Sequence, residues 1–228
     1  MFKKKEKTPK QDNIVEMERT RELEGNLKYA PYFIGVIMTI FQLYVLFITP
    51  MDPFLLRIIH VSFVLMLGFI YYPGFKENRD LGIVDYLLIA GAIGLMFYSI
   101  FYYEGIVIRS GVNPTTGDVV FGTLLVVMII ELARRTSGMT LPVIALIFLV
   151  YTLYGHHLPG LFGHPRYSFQ RTVSFLFGVQ GILSEPIGVS ATVVFMFILF
   201  GTILNSTGGG EAMIDFAKSL VGDKRGGP

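Results

Sequence analysis

Glu131 and two nearby arginines form the clearest charged motif in a chain that has few charged residues. Only 16% of the 228 residues are Asp, Glu, Lys or Arg. Arg134 and Arg135 follow Glu131 by three and four positions, a spacing that puts the side chains on one helix face. A carboxylate within one turn of two guanidiniums predicts a structural ion pair at a helix end. An intramembrane protease built on Glu131, Arg134 and histidines is an alternative, but it needs paired glutamates and deeply buried histidines, which the sequence does not predict.

Histidine and cysteine usage argues against a metal centre. His156, His157 and His164 fall in one loop without a nearby carboxylate, and their spacing is not that of helical ligands. We therefore expect ordinary interfacial histidines, no metal ligands and no catalytic residues. The chain has no cysteine, which excludes disulfides, thiolate catalysis and Cys-ligated clusters.

Two further acids flank the third apolar segment. Asp85 lies near its start and Glu104 near its end. An ionisable group inside a membrane span is a functional candidate by default. Near the ends of a span that argument weakens, and we expect both carboxylates to be solvated at the membrane surface.

Residues 185–210 combine small, hydroxyl and amide side chains with an apolar core. The segment enters through Pro186 and carries Ser190 early, and Asn205 and Ser206 precede three glycines. Such interruptions in transporter helices mark places where the backbone faces a substrate. Ser190, Asn205 and Ser206 are therefore candidate substrate-cavity residues. A packing helix with polar ends is the alternative interpretation.

Apolar segments must position these residues. The chain is 52% hydrophobic, with a mean hydropathy of +0.57, too apolar for a water-soluble domain of this size. A helix needs about 20 apolar residues to cross a bilayer. The sequence predicts an all-α, polytopic membrane protein with about six transmembrane helices: 29–49, 54–72, 82–103, 119–133, 141–154 and 187–204.

Amphipathic segments complete the predicted architecture. Residues 168–176 predict an interfacial helix, and Met213, Phe216, Ala217 and Leu220 form an apolar stripe on a second one. The charged tail, residues 1–28, predicts a helix over 14–27 that lies on the lipid headgroups.

Charge distribution sets the expected orientation and excludes one class of partner. With the N-terminus in the cytoplasm, 15 Lys and Arg residues lie on the cytoplasmic side and four outside. A net charge of +2 supplies no field for nucleic acid.

The second half of the chain contains a series of short motifs in a characteristic order. They are Glu131 with Arg134 and Arg135, 158–160 (LPG), His164, Arg171, 186–192 (PIGVSAT), 199–201 (LFG) and 226–228 (GGP). Over about 100 residues, and most densely in 186–192, this series resembles the permease of tripartite ATP-independent periplasmic (TRAP) transporters, more narrowly the fused permeases that pair with TAXI-type binding proteins.

The resemblance implies a secondary transporter of the bacterial inner membrane, coupled to sodium, that takes organic anions from a periplasmic TAXI-type binding protein. It divides the chain into the tail, a small-subunit-like region 29–117 and the start of a large-subunit-like region 118–228. Family members continue into Gly- and Ser-rich hairpins that carry the sodium and substrate sites. We therefore expect an incomplete chain that needs the remainder of the permease. The alternative is a non-transporting membrane scaffold subunit that docks a partner permease.

Overall fold

The computed structural model describes residues 20, 21, 23, 25–74 and 81–221, and within them every regular element is helical. A 3₁₀ turn, Gly25–Tyr29, leads into eight helices. They are α1 (Ala30–Phe47), α2 (Pro53–Tyr71), α3 (Ile83–Arg109), α4 (Thr116–Ser137), α5 (Thr140–Tyr154), α6 (Phe169–Leu176), α7 (Glu185–Ser206) and α8 (Gly209–Val221).

Six of these helices are long and apolar enough to cross a bilayer: α1 to α5 and α7. The predicted all-α, six-span fold is therefore confirmed, and the chain is a multi-pass membrane protein. The predicted interfacial helix is also present as α6, and the helix after the three glycines as α8. Of the predicted tail helix over 14–27, residues 14–19, 22 and 24 lie outside the described residues; residues 20, 21 and 23 are not helical, and Gly25–Tyr29 forms a 3₁₀ turn.

Local sequence explains where several helices begin. The Asp52 carboxylate accepts a hydrogen bond from the Phe54 amide at 2.8 Å, and Pro53 occupies the first turn of α2. The Ser168 hydroxyl accepts from the Arg171 amide at 3.3 Å and caps α6. At the other end of α7, Gly208 has a φ of +72°, a conformation that favours glycine and separates α7 from α8.

The core forms around α2. Phe54, Ile58, Leu65 and Phe69 on this helix are 0–1% exposed, and α2 packs against α1, α3, α4 and α7. At one close approach, a Cβ at Gly68 would lie 2.6 Å from Leu132 Cδ1 of α4, so a larger residue there would have to displace that side chain. By contrast, most side chains of α5 and of the second half of α7 are exposed and apolar.

The bundle has two ends that differ in chemistry. The Asp85 end contains the C-termini of α2 and α4 and the start of α3, where Arg21 and Arg135 contact Asp85. The Asp118 end contains the start of α4, the helix α6 and the start of α7. Arg109 contacts Asp118 there.

Candidate functional site

Three polar side chains from three helices meet inside the bundle. They are Gln42 of α1, His60 of α2 and Ser190 of α7, and we call this group the polar junction. Gln42 is fully buried and His60 is 5% exposed. His60 lies seven residues from the start of α2, roughly 10 Å along the helix at 1.5 Å per residue. The polar junction therefore lies within the membrane-spanning part of the bundle.

The hydrogen bonds of Gln42 determine which groups in the polar junction donate and which accept. Its Nε2 lies 2.7 Å from the Ala191 carbonyl oxygen and 2.9 Å from His60 Nδ1. A carbonyl only accepts, so the amide nitrogen must face Ala191 and donates one proton to it. Its second proton goes to His60 Nδ1, which must then accept. His60 is therefore the neutral tautomer protonated at Nε2, and that nitrogen faces Ser190 Oγ at 3.3 Å.

A π-helical segment coincides with the polar junction. Ser190–Val194 is π-helical within α7, whereas Glu185–Val189 and Phe195–Ser206 are α-helical. Single-turn π-bulges of this kind occur inside α-helices, frequently at functional sites. Gln42 donates to the Ala191 carbonyl inside this segment, so α1 stabilises the irregular part of α7 directly. Gln42 Oε1 is buried and has no partner among the described residues.

Asp85 is the centre of an ion cluster at the Asp85 end, which corrects the expectation that it is solvated. Its side chain is 7% exposed and lies 2.8 Å from Arg21 and 2.6 Å from Arg135. Arg135 also contacts Glu131 at 2.8 Å, and Arg134 contacts the same carboxylate at 2.8 Å. The expectation failed because the sequence does not reveal that α4 ends beside the start of α3. Glu104 is exposed.

The same arginines donate hydrogen bonds to backbone carbonyls at the end of α2 and just after it. Arg21 donates to the Ile70 carbonyl at 3.1 Å, Arg135 to Tyr72 at 3.0 Å and Arg134 to Gly74 at 2.9 Å. The last carbonyls of a helix have no partner within it, so guanidiniums at that position satisfy them. The cluster therefore joins the N-terminal segment, α2, α3 and α4 at one point.

Two smaller groups hold the Asp118 end. Asp118 is buried and accepts from Tyr98 at 2.7 Å and from Arg109 at 3.1 Å. Arg57 of α2 contacts Glu185 at 2.5 Å and the Leu183 carbonyl at 2.9 Å, which fixes the entry to α7.

The histidine loop forms an open cleft at the Asp118 end. His156, His157 and Arg166 line a cavity of about 660 Å³ together with aromatic residues. Among the described residues no group of three or more potential metal ligands occurs. His164 lies beside this cleft, and its ring contacts the carbonyls of Pro165 and Tyr151 at 2.7 and 3.0 Å. These hydrogen bonds raise the pKa of His164.

The three cavity candidates have different surroundings. Ser190 is half-buried against His60. Asn205 and Ser206 are exposed at the far end of α7, where the Ser206 hydroxyl donates to Ile203 of its own helix at 2.9 Å. Their role in a substrate cavity stays a prediction.

Neither Gln42 nor His60 was singled out from the sequence. Gln42 is the one amide in α1, which has no charged residue, and His60 interrupts an apolar stretch. Those two features were the available signal. The argument that no histidine is deeply buried was also wrong for His60. The partner acids that the protease alternative needs are still missing at the polar junction, since its other side chains are an amide and a hydroxyl.

The comparisons with known proteins agree with this membrane architecture. Comparison of the chain with curated proteins and with solved structures gave no match. One family model does match, over residues 124–228, and that family is a transporter permease component rather than an enzyme. The matched part includes α5 to α8 and most of α4. Residues 124–228 are similar to the DctM component of the tripartite ATP-independent periplasmic transporters.

Proposed function

We propose that this chain is a membrane component of a TRAP-type permease, a secondary transporter of the bacterial inner membrane. The carrying observation is the match of residues 124–228 to the DctM component. The proposal includes uptake of organic anions delivered by a periplasmic TAXI-type binding protein, driven by a sodium gradient. A transporter of this kind needs no cofactor other than the coupling ion.

In this proposal α1 to α3 are a scaffold that positions α4 to α7. The support is a set of polar contacts that join residues before 117 to residues after 118. Gln42 contacts Ala191, Arg57 contacts Glu185 and Asp85 contacts Arg135. These contacts lie at the two ends and in the interior, so they restrain both the position and the tilt of the later helices. They suit a small-subunit-like region at 29–117 and a permease-like region from 118.

The test is uptake in proteoliposomes that contain the native permease. We expect uptake of a radiolabelled carboxylate to require both a TAXI-type binding protein from the same genome and an inward sodium gradient. Replacing sodium by potassium, or omitting the binding protein, should reduce uptake to background. Uptake that needs neither would contradict the proposal. Copurification of a second multi-spanning permease, with no uptake by the chain without it, would favour the scaffold alternative.

Ser190, Asn205 and Ser206 are proposed to face the transport cavity of the assembled permease. Single cysteines at these positions can be labelled selectively, because the native chain contains no cysteine. We expect added substrate to slow maleimide labelling at Asn205 and Ser206 in the complex. Ser219, exposed on α8 and not one of the cavity candidates, is the matched control and should label at an unchanged rate. Labelling that ignores substrate at every position would leave these residues as packing or surface groups.

A further inference from the structure

A groove between α5 and α6 has one cationic end and one apolar end. It lies at the Asp118 end, has a volume of about 430 Å³ and is lined mainly by apolar surface. Arg171 of α6 and Tyr167, which precedes that helix, supply polar groups to its lining, and Leu149 of α5 with Phe175 and Leu176 of α6 supplies apolar side chains. This volume falls within the range of small-molecule sites.

The two ends of the groove lie at different depths. Arg171 is on the first turn of α6, the amphipathic helix that begins after the histidine loop. Leu149 lies five residues before the end of α5, roughly 8 Å further into the bundle at 1.5 Å per residue. A site that is cationic at the membrane surface and apolar below matches an amphiphile with an anionic headgroup.

Arg171 lacks an acidic partner within the described residues. Its guanidinium lies over the Tyr167 ring at 5.9 Å, and it takes part in none of the ion pairs found there. Between residues 119 and 184 the sequence contains a single acid, Glu131, which contacts Arg134 and Arg135 at the opposite end. The nearby Asp118 and Glu185 contact Arg109 and Arg57. The charge of Arg171 is therefore available to an anion from outside the chain.

Contacts on its buried face fix the helix α6, which carries Arg171. The Gly111 amide donates to Ser174 Oγ at 3.0 Å, and the Ser110 hydroxyl donates to the Ser174 carbonyl at 3.2 Å. On its buried face, Val173 packs so closely on α4 that a Cβ at Gly122 would lie 2.8 Å from Val173 Cγ1. These contacts hold α6 in place from its buried face and leave the groove on its opposite side open.

We propose that this groove binds one anionic phospholipid, with the phosphate on Arg171 and an acyl chain against Leu149 and Phe175. Tyr167 lies beside the guanidinium at the headgroup level, where tyrosine is enriched in membrane proteins. The lipid would cover apolar surface of α5 and α6 that the described part of the chain leaves exposed. The site is independent of which substrate the protein transports.

The test is native mass spectrometry of the purified full-length protein, titrated with phosphatidylglycerol or phosphatidylcholine of matched chains. We expect one phosphatidylglycerol to bind in preference to phosphatidylcholine. Arg171→Gln should weaken phosphatidylglycerol binding about fivefold, the effect of one surface charge contact. Arg171→Lys keeps the charge and should retain most of the binding. Leu149→Trp fills the apolar end and should weaken binding of both lipids.

Arg166→Gln is the matched control. Arg166 lies in the loop just before α6 and lines the neighbouring histidine cleft rather than the groove. Equal losses of phosphatidylglycerol binding in Arg166→Gln and Arg171→Gln would mean that diffuse surface charge, not this groove, attracts the lipid, and would overturn the proposal. Equal binding of phosphatidylglycerol and phosphatidylcholine would also overturn it. The same holds if the wild-type protein retains no lipid because another part of the assembly fills the groove. A thermal melt of each variant without added lipid checks folding, and Arg171→Lys keeps the test valid if Arg171→Gln unfolds.

Discussion

Gln42 is the side chain on which the polar junction depends, because it contacts α2 and α7 at once. Gln42→Leu removes the donors to the Ala191 carbonyl and to His60 Nδ1. Interhelical hydrogen bonds in membrane proteins contribute about 0.6 kcal/mol on average and at most about 1.7. We expect Gln42→Leu to lower the free energy of unfolding by about 1–3 kcal/mol for the two bonds. Unfolding by SDS in mixed micelles measures it.

Thr39→Val is the matched control for this variant. Thr39 lies three residues earlier on α1, and its hydroxyl donates to Gly35 of the same helix at 2.8 Å. Its loss leaves the contacts between helices intact, so we expect a change within about 0.5 kcal/mol. Equal effects of the two variants would mean that the polar junction does not hold α7.

His164 titrates under the influence of two carbonyl groups. The Pro165 carbonyl, and after it the Tyr151 carbonyl, accepts from the ring, and both nitrogens donate only in the imidazolium form. The pKa of His164 is therefore raised above its usual 6.5. Its contribution to loop stability is fully present below the unfolded pKa and is lost as the pH rises through the folded pKa.

Proton NMR of the protein in nanodiscs should therefore resolve one histidine that titrates above 6.5 and disappears in His164→Gln. We expect His157→Gln to leave that resonance in place. A titration midpoint for His164 below 6.5 would contradict the two-carbonyl geometry.

Side-chain contacts were predictable from sequence only where they are local. Glu131 and its two arginines are within one turn of each other, so their spacing alone indicates the contact. Asp85 and Arg135 are 50 positions apart, and Gln42 and Ala191 are 149 apart. No periodicity within one helix encodes such a pair, because it depends on which helices are neighbours and in what rotation.

At the scale of the helices, the apolar segments predicted the spans to within a few residues except at charged ends. The third span ends at Arg109 rather than 103, and the fourth begins at Thr116 rather than 119. In these extensions beyond the apolar stretch, Arg109 and Asp118 contact each other at 3.1 Å. A prediction from hydropathy stops at the first charge and does not include a partner on the next helix.

Asp85 joins the ends of several helices, so we expect its loss to destabilise the whole bundle. Asp85→Asn removes the negative charge between Arg21 and Arg135, whose side chains are each 1% exposed. Loss of one partner of a buried ion pair costs about 3–5 kcal/mol, since the remaining charge is left uncompensated. We expect Asp85→Asn to fall at the lower end of that range, because Glu131 still contacts Arg135. Thermal unfolding in detergent measures the change.

Asp215→Asn is the control for this prediction. Asp215 of α8 is exposed and lies 3.8 Å from an exposed Lys218. Exposed pairs contribute about 0–1 kcal/mol, so we expect little change. If Asp85→Asn changes the free energy of unfolding as little as Asp215→Asn does, the backbone carbonyls at the end of α2 suffice as acceptors for the arginines.

For the whole molecule, the bilayer makes the number of spans predictable but not their arrangement. Each span must satisfy its backbone within one helix, which leaves a clear hydropathy signal. Lipid chains and apolar side chains are alike, so hydropathy does not say which face of a helix meets protein. Accordingly α2 and α5 are both predominantly apolar, yet α2 is mostly buried and α5 mostly exposed.

The orientation of the bundle is the last prediction, and the fold makes it testable with two cysteines. Leu161 is 102% exposed in the loop at the Asp118 end, and Met213 is 64% exposed on α8, beyond the other end of α7. The excess of Lys and Arg on the side of the N-terminal tail predicts that Met213 is cytoplasmic. In spheroplasts, a membrane-impermeant maleimide should label Leu161→Cys at once and Met213→Cys only after permeabilisation. The reverse labelling pattern would mean that the bundle has the opposite orientation, with Asp85 and its arginines on the outer side of the membrane. Labelling of both sites would show that α7 does not cross the membrane.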